Sequence, residues 1–461
     1  MSSFSPSRRR FLSRTGAGLG SIALGSLLQR DLFGDVPPAL RAVAPKAKSV
    51  IFFHMTGAPS QLDLFDEKPV LRKYDRQPAP ESLFEGKRFS FLRGHPKLLG
   101  SPYQYHQHGK SGLSLSELLP HLGNVADEIC LVKSVHTTEF NHGPAQLVFH
   151  TGVNRQGNPS LGSWTTYGLG SESENLPAYV VFLTGNTPGA GASLWKSGFL
   201  PSVHQGVQLR GEGDPVLFLN SPKNVTRDER RRTLDSIEAL NRQYFESVGD
   251  PEIVTRIEQY EMAFRMQASV PELVDLSQEG VAMRELYGTG EFATQCLQAR
   301  RLVERGVRFV ELFHGDWDTH AAQKGRLASL TKEVDQPIAA LIADLKQRGL
   351  LDQTLVVWGA EFGRTPMLQG EESPDKCGRD HQKDAFTVWM AGGGVKGGIS
   401  YGATNDLGNE VAEDPVQVRD LHATMMHLLG IDHESLTYRY QGFDQRLTGV
   451  EEARVIGEIL A

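Results

Sequence analysis

The sequence predicts an α/β fold built on a mainly parallel sheet with helices on its faces. Three observations carry that prediction. Short apolar runs of strand length recur between turn residues, and runs with helical spacing separate the later ones. The polar clusters of the chain fall directly after, or directly before, those apolar runs, where the ligand sites of such sheets gather.

Taken in order, Ser49-Val50-Ile51-Phe52-Phe53 is a buried first strand that ends in the turn residues Thr56-Gly57-Ala58-Pro59-Ser60. Ser114 to Glu117 has the capping-box pattern and predicts a helix start. Ile129-Cys130-Leu131-Val132 and Val180-Val181-Phe182-Leu183 read as two further strands. Residues 226–305 read as helical and richly charged. The part near 226–290 is expected to be a peripheral insertion, because it interrupts the strand–helix alternation without adding a strand. The alternation then resumes with a strand from Val307 to Leu312. Leu327, Leu330, Val334, Ile338, Leu341 and Leu345 follow at helical spacing. Strands at Thr354 to Trp358 and Ala385 to Met390 come next, then an amphipathic helix from Val416 to Leu429.

The chain has 461 residues, 39% hydrophobic and 22% charged, as in a soluble globular protein. Residues 46–461 are expected to form one large domain. The net charge of the whole chain, −7, argues against nucleic acid or an anionic membrane as the main partner. The three cysteines, Cys130, Cys296 and Cys377, form no C-x-x-C pair, which argues against a disulfide framework or a zinc knuckle. Cys130 and Cys296 read as buried apolar residues, and Cys377, in a polar loop, as the more reactive thiol.

Residues 1–45 read as an export signal and linker. Ser7-Arg8-Arg9-Arg10-Phe11-Leu12 precedes a weakly apolar run rich in Gly and Ala, from Thr15 to Leu28. Paired arginines followed by Phe-Leu resemble the twin-arginine class, so the expected destination is the periplasm or cell envelope. No stretch approaches the roughly 20 apolar residues of a transmembrane helix.

Candidate chemistry sits at the strand ends. Strand 307–312 runs into His314, Asp316, Trp317, Asp318 and His320. Strand 354–358 runs into Glu361-Phe362-Gly363-Arg364, and Arg379-Asp380-His381 stands just before strand 385–390. The first strand leads to Ser60 and Asp63, the second to Glu139-Phe140-Asn141-His142. Oxygen and imidazole donors from several loops above one sheet suit Zn²⁺, Mn²⁺ or Fe. Gly392 to Gly398 departs from the P-loop pattern and reads as a tight turn, and there is no G-x-S-x-G nucleophile elbow.

The order of motifs resembles the exported bacterial family of domain of unknown function 1501, within the alkaline phosphatase-like and sulfatase-like superfamily. The resemblance spans roughly residues 48–450. It rests on Gly57-Ala58-Pro59-Ser60-Gln61-Leu62-Asp63-Leu64-Phe65-Asp66, Asn141-His142-Gly143-Pro144-Ala145 and Pro159-Ser160-Leu161-Gly162-Ser163-Trp164. Trp317-Asp318-Thr319-His320, Glu361-Phe362-Gly363-Arg364-Thr365-Pro366 and Gly378-Arg379-Asp380-His381 complete it.

The superfamily implies a three-layer α/β/α sandwich and a metal-dependent ester hydrolase acting on phosphate, sulfate or related esters of small molecules or glycans. The metal set it implies is Asp318 (or Asp316), His320 and His381, with Glu361 or His142 completing the shell. Its second-metal Asp-His pair reads Glu361-Phe362 here, its nucleophile position resembles His142, and the sulfatase Cys-x-Pro-x-Arg motif is absent. One divalent ion, Zn or Mn, is therefore expected. His142 becomes a ligand, a general base or a covalent nucleophile, and Arg364 or Arg379 a partner for an anionic group. Asp63, Asp316 and Asp380 form a further acidic set. The alternative is a non-catalytic metal-binding or scaffold protein that keeps the fold and serves an envelope partner protein.

Overall fold

The computed structural model describes residues 44–210, 215–216, 224–373 and 375–461. The expected twin-arginine segment lies outside the described residues.

Nine strands form one central sheet among the described residues. They are β1 (Ser49–Met55), β2 (Ile129–His136), β3 (Tyr179–Thr184), β4 (Val207–Gln208), β5 (Phe309–His314), β6 (Thr354–Gly359), β7 (Phe386–Ala391), β8 (Ile399–Tyr401) and β9 (Val416–Gln417). Their order is β8-β2-β7-β6-β1-β5-β3-β4, with β9 also paired to β2. β1 lies between β5 and β6, parallel to both, and all seven of its residues are buried. Its β-branched and aromatic side chains suit a strand covered on both faces.

Alternation along β1 separates two cores. Val50 and Phe52 pack with Leu147 and Phe149 of α1 (His142–Thr151), Trp164 of α2 (Leu161–Leu169) and Met425 of α7 (Val418–Leu428). Ile51, Phe53 and Met55 pack on the opposite face with Leu297 of α5 (Glu291–Glu304) and Leu327 and Leu341 of α6 (Gln323–Gln347). Helices therefore cover both faces, and the domain is a three-layer α/β/α sandwich with a mainly parallel sheet.

Between them, α3 (Arg227–Val248) and α4 (Pro251–Val274) pack on each other, joined by the Arg231–Glu261 ion pair. Neither they nor the short helix Val281–Tyr287 adds a strand to the sheet.

The structure corrects four sequence expectations. Ser114 to Glu117 does not open a helix: Leu113–Ser116 is a strand paired with Tyr105–His108, and Leu113 and Leu115 are the buried members of its alternation. β7 runs antiparallel to both neighbours, so its beginning, not its end, lies at the carboxyl edge of the parallel strands. Cys377, expected in a polar loop as the more reactive thiol, is buried against Leu99 and Leu368. The amphipathic run at 416 starts as β9 before becoming α7.

The glycine run after β7 does form a turn. Gly392 has φ +68°, and a Cβ there would lie 2.4 Å from the Leu351 carbonyl oxygen. No helix among the described residues is long and apolar enough to cross a membrane.

Candidate metal centre

One strand end, one hairpin and one helix start converge on a single point. β5 runs into a loop held by Trp317, whose buried indole donates to His314 Nδ1 at 3.0 Å. That loop presents Asp318 and His320. Hairpin strands Gly363–Gln369 and Gly378–Gln382 pair Arg364 with His381, and bring His381 back to the same edge before β7 begins. α1 opens with His142. Asp318, His142, His320 and His381 each offer one donor atom, and those four atoms lie within 4.8 Å of one another.

Asp318 Oδ1 is the hub. It is 2.9 Å from His320 Nε2 and 3.3 Å from both His142 Nε2 and His381 Nε2. His381 Nε2 and His320 Nε2 are 3.0 Å apart. Donors about 2 Å from a tetrahedral zinc stand about 3.3 Å from one another, so this spacing fits such an ion.

The far side of each ring explains why the Nε2 atoms face inward. His381 Nδ1 lies 2.8 Å from the Phe140 carbonyl oxygen, which can only accept, so Nδ1 carries the proton. His320 Nδ1 meets Gln369 Oε1 at 2.7 Å, and His142 Nδ1 meets Glu361 Oε1 at 2.7 Å. In the neutral rings every Nε2 is then a lone pair. Two such lone pairs at 3.0 Å repel unless a cation lies between them. His142 Nε2 is buried and has no aligned hydrogen bond. This is the outer-shell pattern that orients histidines toward a metal. A divalent metal fits the donor set.

Electrostatics agree. Burial would raise the Asp318 pKa, but the three imidazoles and the Arg364 guanidinium around it hold it far below the usual carboxylate range. Burial would likewise lower His142, yet the Asp318 and Glu361 carboxylates beside it keep it up at about 9, so a metal ion binding there must displace the Nε2 proton. Burial lowers His381, which keeps that ring neutral. Phe91 packs edge-on to His320, and Phe362 fills the space between His142 and His381, with centroids at 4.9 and 4.6 Å.

The remaining sequence candidates lie around this cluster. Glu361 is fully buried behind His142, where its Oε1 also accepts from Gln146 Nε2 and the Gly57 amide. Arg364 is buried too: it donates to Asp318 Oδ1 at 2.7 Å and to the carbonyls of Ala58 and Arg379. Arg379 is locked in a buried pair with Asp63, Nε–Oδ2 2.9 Å and Nη2–Oδ1 3.1 Å. Asp380 accepts from the amides of Phe91 and Leu92 and so pins the loop that carries Phe91. Asp316, at φ 71°, pairs with Asn186. The structure brings Asp318, His320, His381 and His142 together, and leaves Asp63, Asp316, Asp380 and Arg379 outside.

Sequence reasoning passed over His54, His150 and Glu311, which continue inward from Glu361. Two signals were present. A Glu and a His interrupt strands otherwise made of apolar residues, and His142, Gln146 and His150 recur every four residues, one stripe of a helix.

No curated protein matches the chain. It is similar to the lipoteichoic acid synthase LtaP from Listeria monocytogenes, at 11% identity and TM-score 0.36, over 92% of this chain and 80% of that one. It is also similar to the alkaline phosphatase of the Antarctic bacterium TAB5, at 12% identity and TM-score 0.32, over 78% and 95% of the two chains. A third likeness is to the PsFucS1 sulfatase from Pseudoalteromonas sp., at 12% identity and TM-score 0.35, over 90% and 71%. The model of the family described as protein of unknown function (DUF1501) matches residues 47–460, and the chain belongs to that family.

Proposed function

We propose that this protein is an exported, metal-dependent hydrolase of phosphate, sulfate or related esters, holding one divalent ion, Zn or Mn, on Asp318, His142, His320 and His381. One observation carries the reading: three imidazole Nε2 atoms surround one carboxylate oxygen, and each Nδ1 is tied to an oxygen behind it. A divalent ion bound there supplies Lewis-acid polarisation of an ester oxygen.

The chain's own residues prepare that site. Glu361 holds the His142 Nδ1 proton, Gln369 turns His320, and the Phe140 carbonyl turns His381. Arg364 offsets the Asp318 charge within a buried cage of carbonyls, and Phe91 and Phe362 restrict water around the imidazoles. His142 acts here as a ligand, with its second nitrogen spent on Glu361, and Glu361 as its orienting partner. The substrate is a small-molecule or glycan ester reaching the centre past Phe91, which is 55% exposed.

The test is elemental analysis of purified protein together with a panel of phosphoester and sulfoester substrates. One equivalent of metal, lost in His320→Ala along with ester hydrolysis, is the expected result. No metal under any loading condition overturns the reading.

A second reading is a non-catalytic metal-binding protein of the envelope. It is favoured by the fates of the two arginines: Arg379 is consumed by Asp63, and Arg364 by Asp318 and backbone carbonyls. Metal bound at one equivalent without turnover on any ester would select it.

A further inference from the structure

Behind the metal centre, four more polar side chains run through the core between β1, β3, β5 and α1. Glu361 Oε2 faces His54 Nε2 at 3.2 Å, an imperfectly aligned pair in which neither atom has another hydrogen-bond partner. His54 Nδ1 faces His150 Nε2 at 3.1 Å. His150 Nδ1 faces Glu311 Oε1 at 2.8 Å, and Glu311 Oε2 accepts from the Tyr179 hydroxyl. None of the five is more than 2% exposed. The rings of Phe52, Phe149 and Phe313 pack around the two histidines. No Lys or Arg pairs with Glu311 among the described residues.

Hydrogen-bond arithmetic fixes the protons. Three contacts join Glu361, His54, His150 and Glu311, and each needs one proton between its two heavy atoms. Glu361 is the natural anion: it accepts from His142, Gln146 and Gly57 on its other oxygen. His54 must then donate from Nε2 and accept at Nδ1, and His150 must do the same. The third proton therefore belongs to Glu311, which donates it to His150 Nδ1 while accepting from Tyr179. The same three protons could instead make His54 a cation and Glu311 an anion. Separating charges among apolar rings is the costlier arrangement. Burial pushes the Glu311 pKa up to about 8 and His150 down to about 3, and it lowers His54. The neutral arrangement is the one the core selects.

We propose that His54, His150 and Glu311 are positioning residues of the metal centre: a one-way hydrogen-bond chain from a protonated Glu311 keeps Glu361 an acceptor, and Glu361 in turn holds His142 with Nε2 toward the metal. The proposal rests on the metal reading above but is tested separately from it. Outer-shell partners of metal-binding histidines change metal affinity about ten- to hundredfold when lost.

The experiment has two arms. In the first, infrared spectra of the full chain at pH 6.5 are compared with those of Glu311→Gln. Its amide can donate to His150 and accept from Tyr179, as the protonated acid does. A protonated-carboxyl band present in the wild type and missing in Glu311→Gln is expected. Nitrogen-15 NMR of the imidazoles should show His54 and His150 as neutral Nε2–H tautomers. A missing band, or a doubly protonated His54, overturns the proposal whether or not metal binds.

In the second arm, zinc affinity is measured by chelator competition. His54→Phe and Glu311→Leu should weaken it about ten- to hundredfold, and Glu311→Gln should restore it to near the wild-type value. Unchanged zinc affinity in folded His54→Phe overturns the positioning role. If the band is present but no protein binds zinc, the chain stands as read and the metal assignment fails.

Discussion

Asp63 offers the sharpest test of whether a strand-end carboxylate serves the metal or the fold. Both of its oxygens accept from Arg379, and Oδ2 also accepts from Gln323 Nε2 at 2.6 Å. The pair is sealed, with 1% of Asp63 and none of Arg379 exposed. Arg379 places its remaining donor on the carbonyls of Leu99 and Thr365, which cannot offset a charge. Asp63→Ala therefore leaves a buried guanidinium without a counter-ion, a change that costs about 3–5 kcal/mol. Asp63→Asn keeps one acceptor and should lose less, about 2 kcal/mol. The double variant Asp63→Ala/Arg379→Met removes both charges and should recover at least half of the loss. Urea unfolding of the metal-loaded proteins measures each value, and elemental analysis follows the metal. We expect stability to fall and the metal to stay. Metal lost from a still-folded Asp63→Ala, or a loss below about 1 kcal/mol, would refute the structural role.

Other outcomes are equally direct. Gly57 has φ +103°, and a Cβ there would lie 2.5 Å from the Asp318 amide nitrogen, so Gly57→Ala should displace Asp318. Metal content should drop sharply while circular dichroism stays near wild type. Glu311 has a raised pKa, so its stability contribution is complete below the unfolded value near 4.5 and is lost as pH rises through about 8. Relative to wild type, Glu311→Gln should gain about 3 kcal/mol in unfolding free energy between pH 5.5 and 7.5, read by urea titration at the two pH values. His422 runs the other way: burial lowers it to about 4, so its contribution is present above about 6.5 and lost toward pH 4. His422→Gln should therefore be less acid-sensitive than wild type in the same titration. Replacing Arg8 and Arg9 together by Lys should hold the protein in the cytoplasm, as fractionation would show, because a receptor that reads guanidinium geometry does not accept an ammonium.

Much of the sheet is legible in the sequence because fully buried strands must be continuous apolar runs. β3 and β6 are such runs, and β1 and β5 nearly so, broken by His54 and Glu311. What the runs do not carry is direction. Phe386–Ala391 is as apolar as β6 beside it, and only its pairing shows that it runs antiparallel to that strand. The Ser114–Glu117 misreading has a local cause. Three residues, Ser114 to Ser116, belong both to the helix-cap pattern and to an alternating strand, and the partner at Tyr105–His108 decides between them.

The centre is legible as strand-end clusters, but their sorting is not. Asp63, Asp380 and Asp318 look alike in the sequence. They differ in what meets them: a guanidinium for Asp63, three backbone amides for Asp380, and three imidazoles beside a guanidinium for Asp318. The chain behind Glu361 needs contacts among residues far apart in sequence, and pattern alone cannot supply those.

That separation along the chain has a thermodynamic meaning of its own. His142 and Glu361 are 219 residues apart, and Asp318 reaches His381 across the hairpin 63 residues on. No fragment shorter than residues 142–381 carries the four donors. Bringing them together closes loops whose entropy grows only as the logarithm of their length, so the cost falls on assembling the sheet rather than on the centre. An ion that binds only the assembled form adds RT ln(1 + [L]/Kd) to folding stability, about 4 kcal/mol at a free concentration a thousandfold above Kd. Metal supply would then shift the folding equilibrium, and a chelator would lower the unfolding free energy by about that amount.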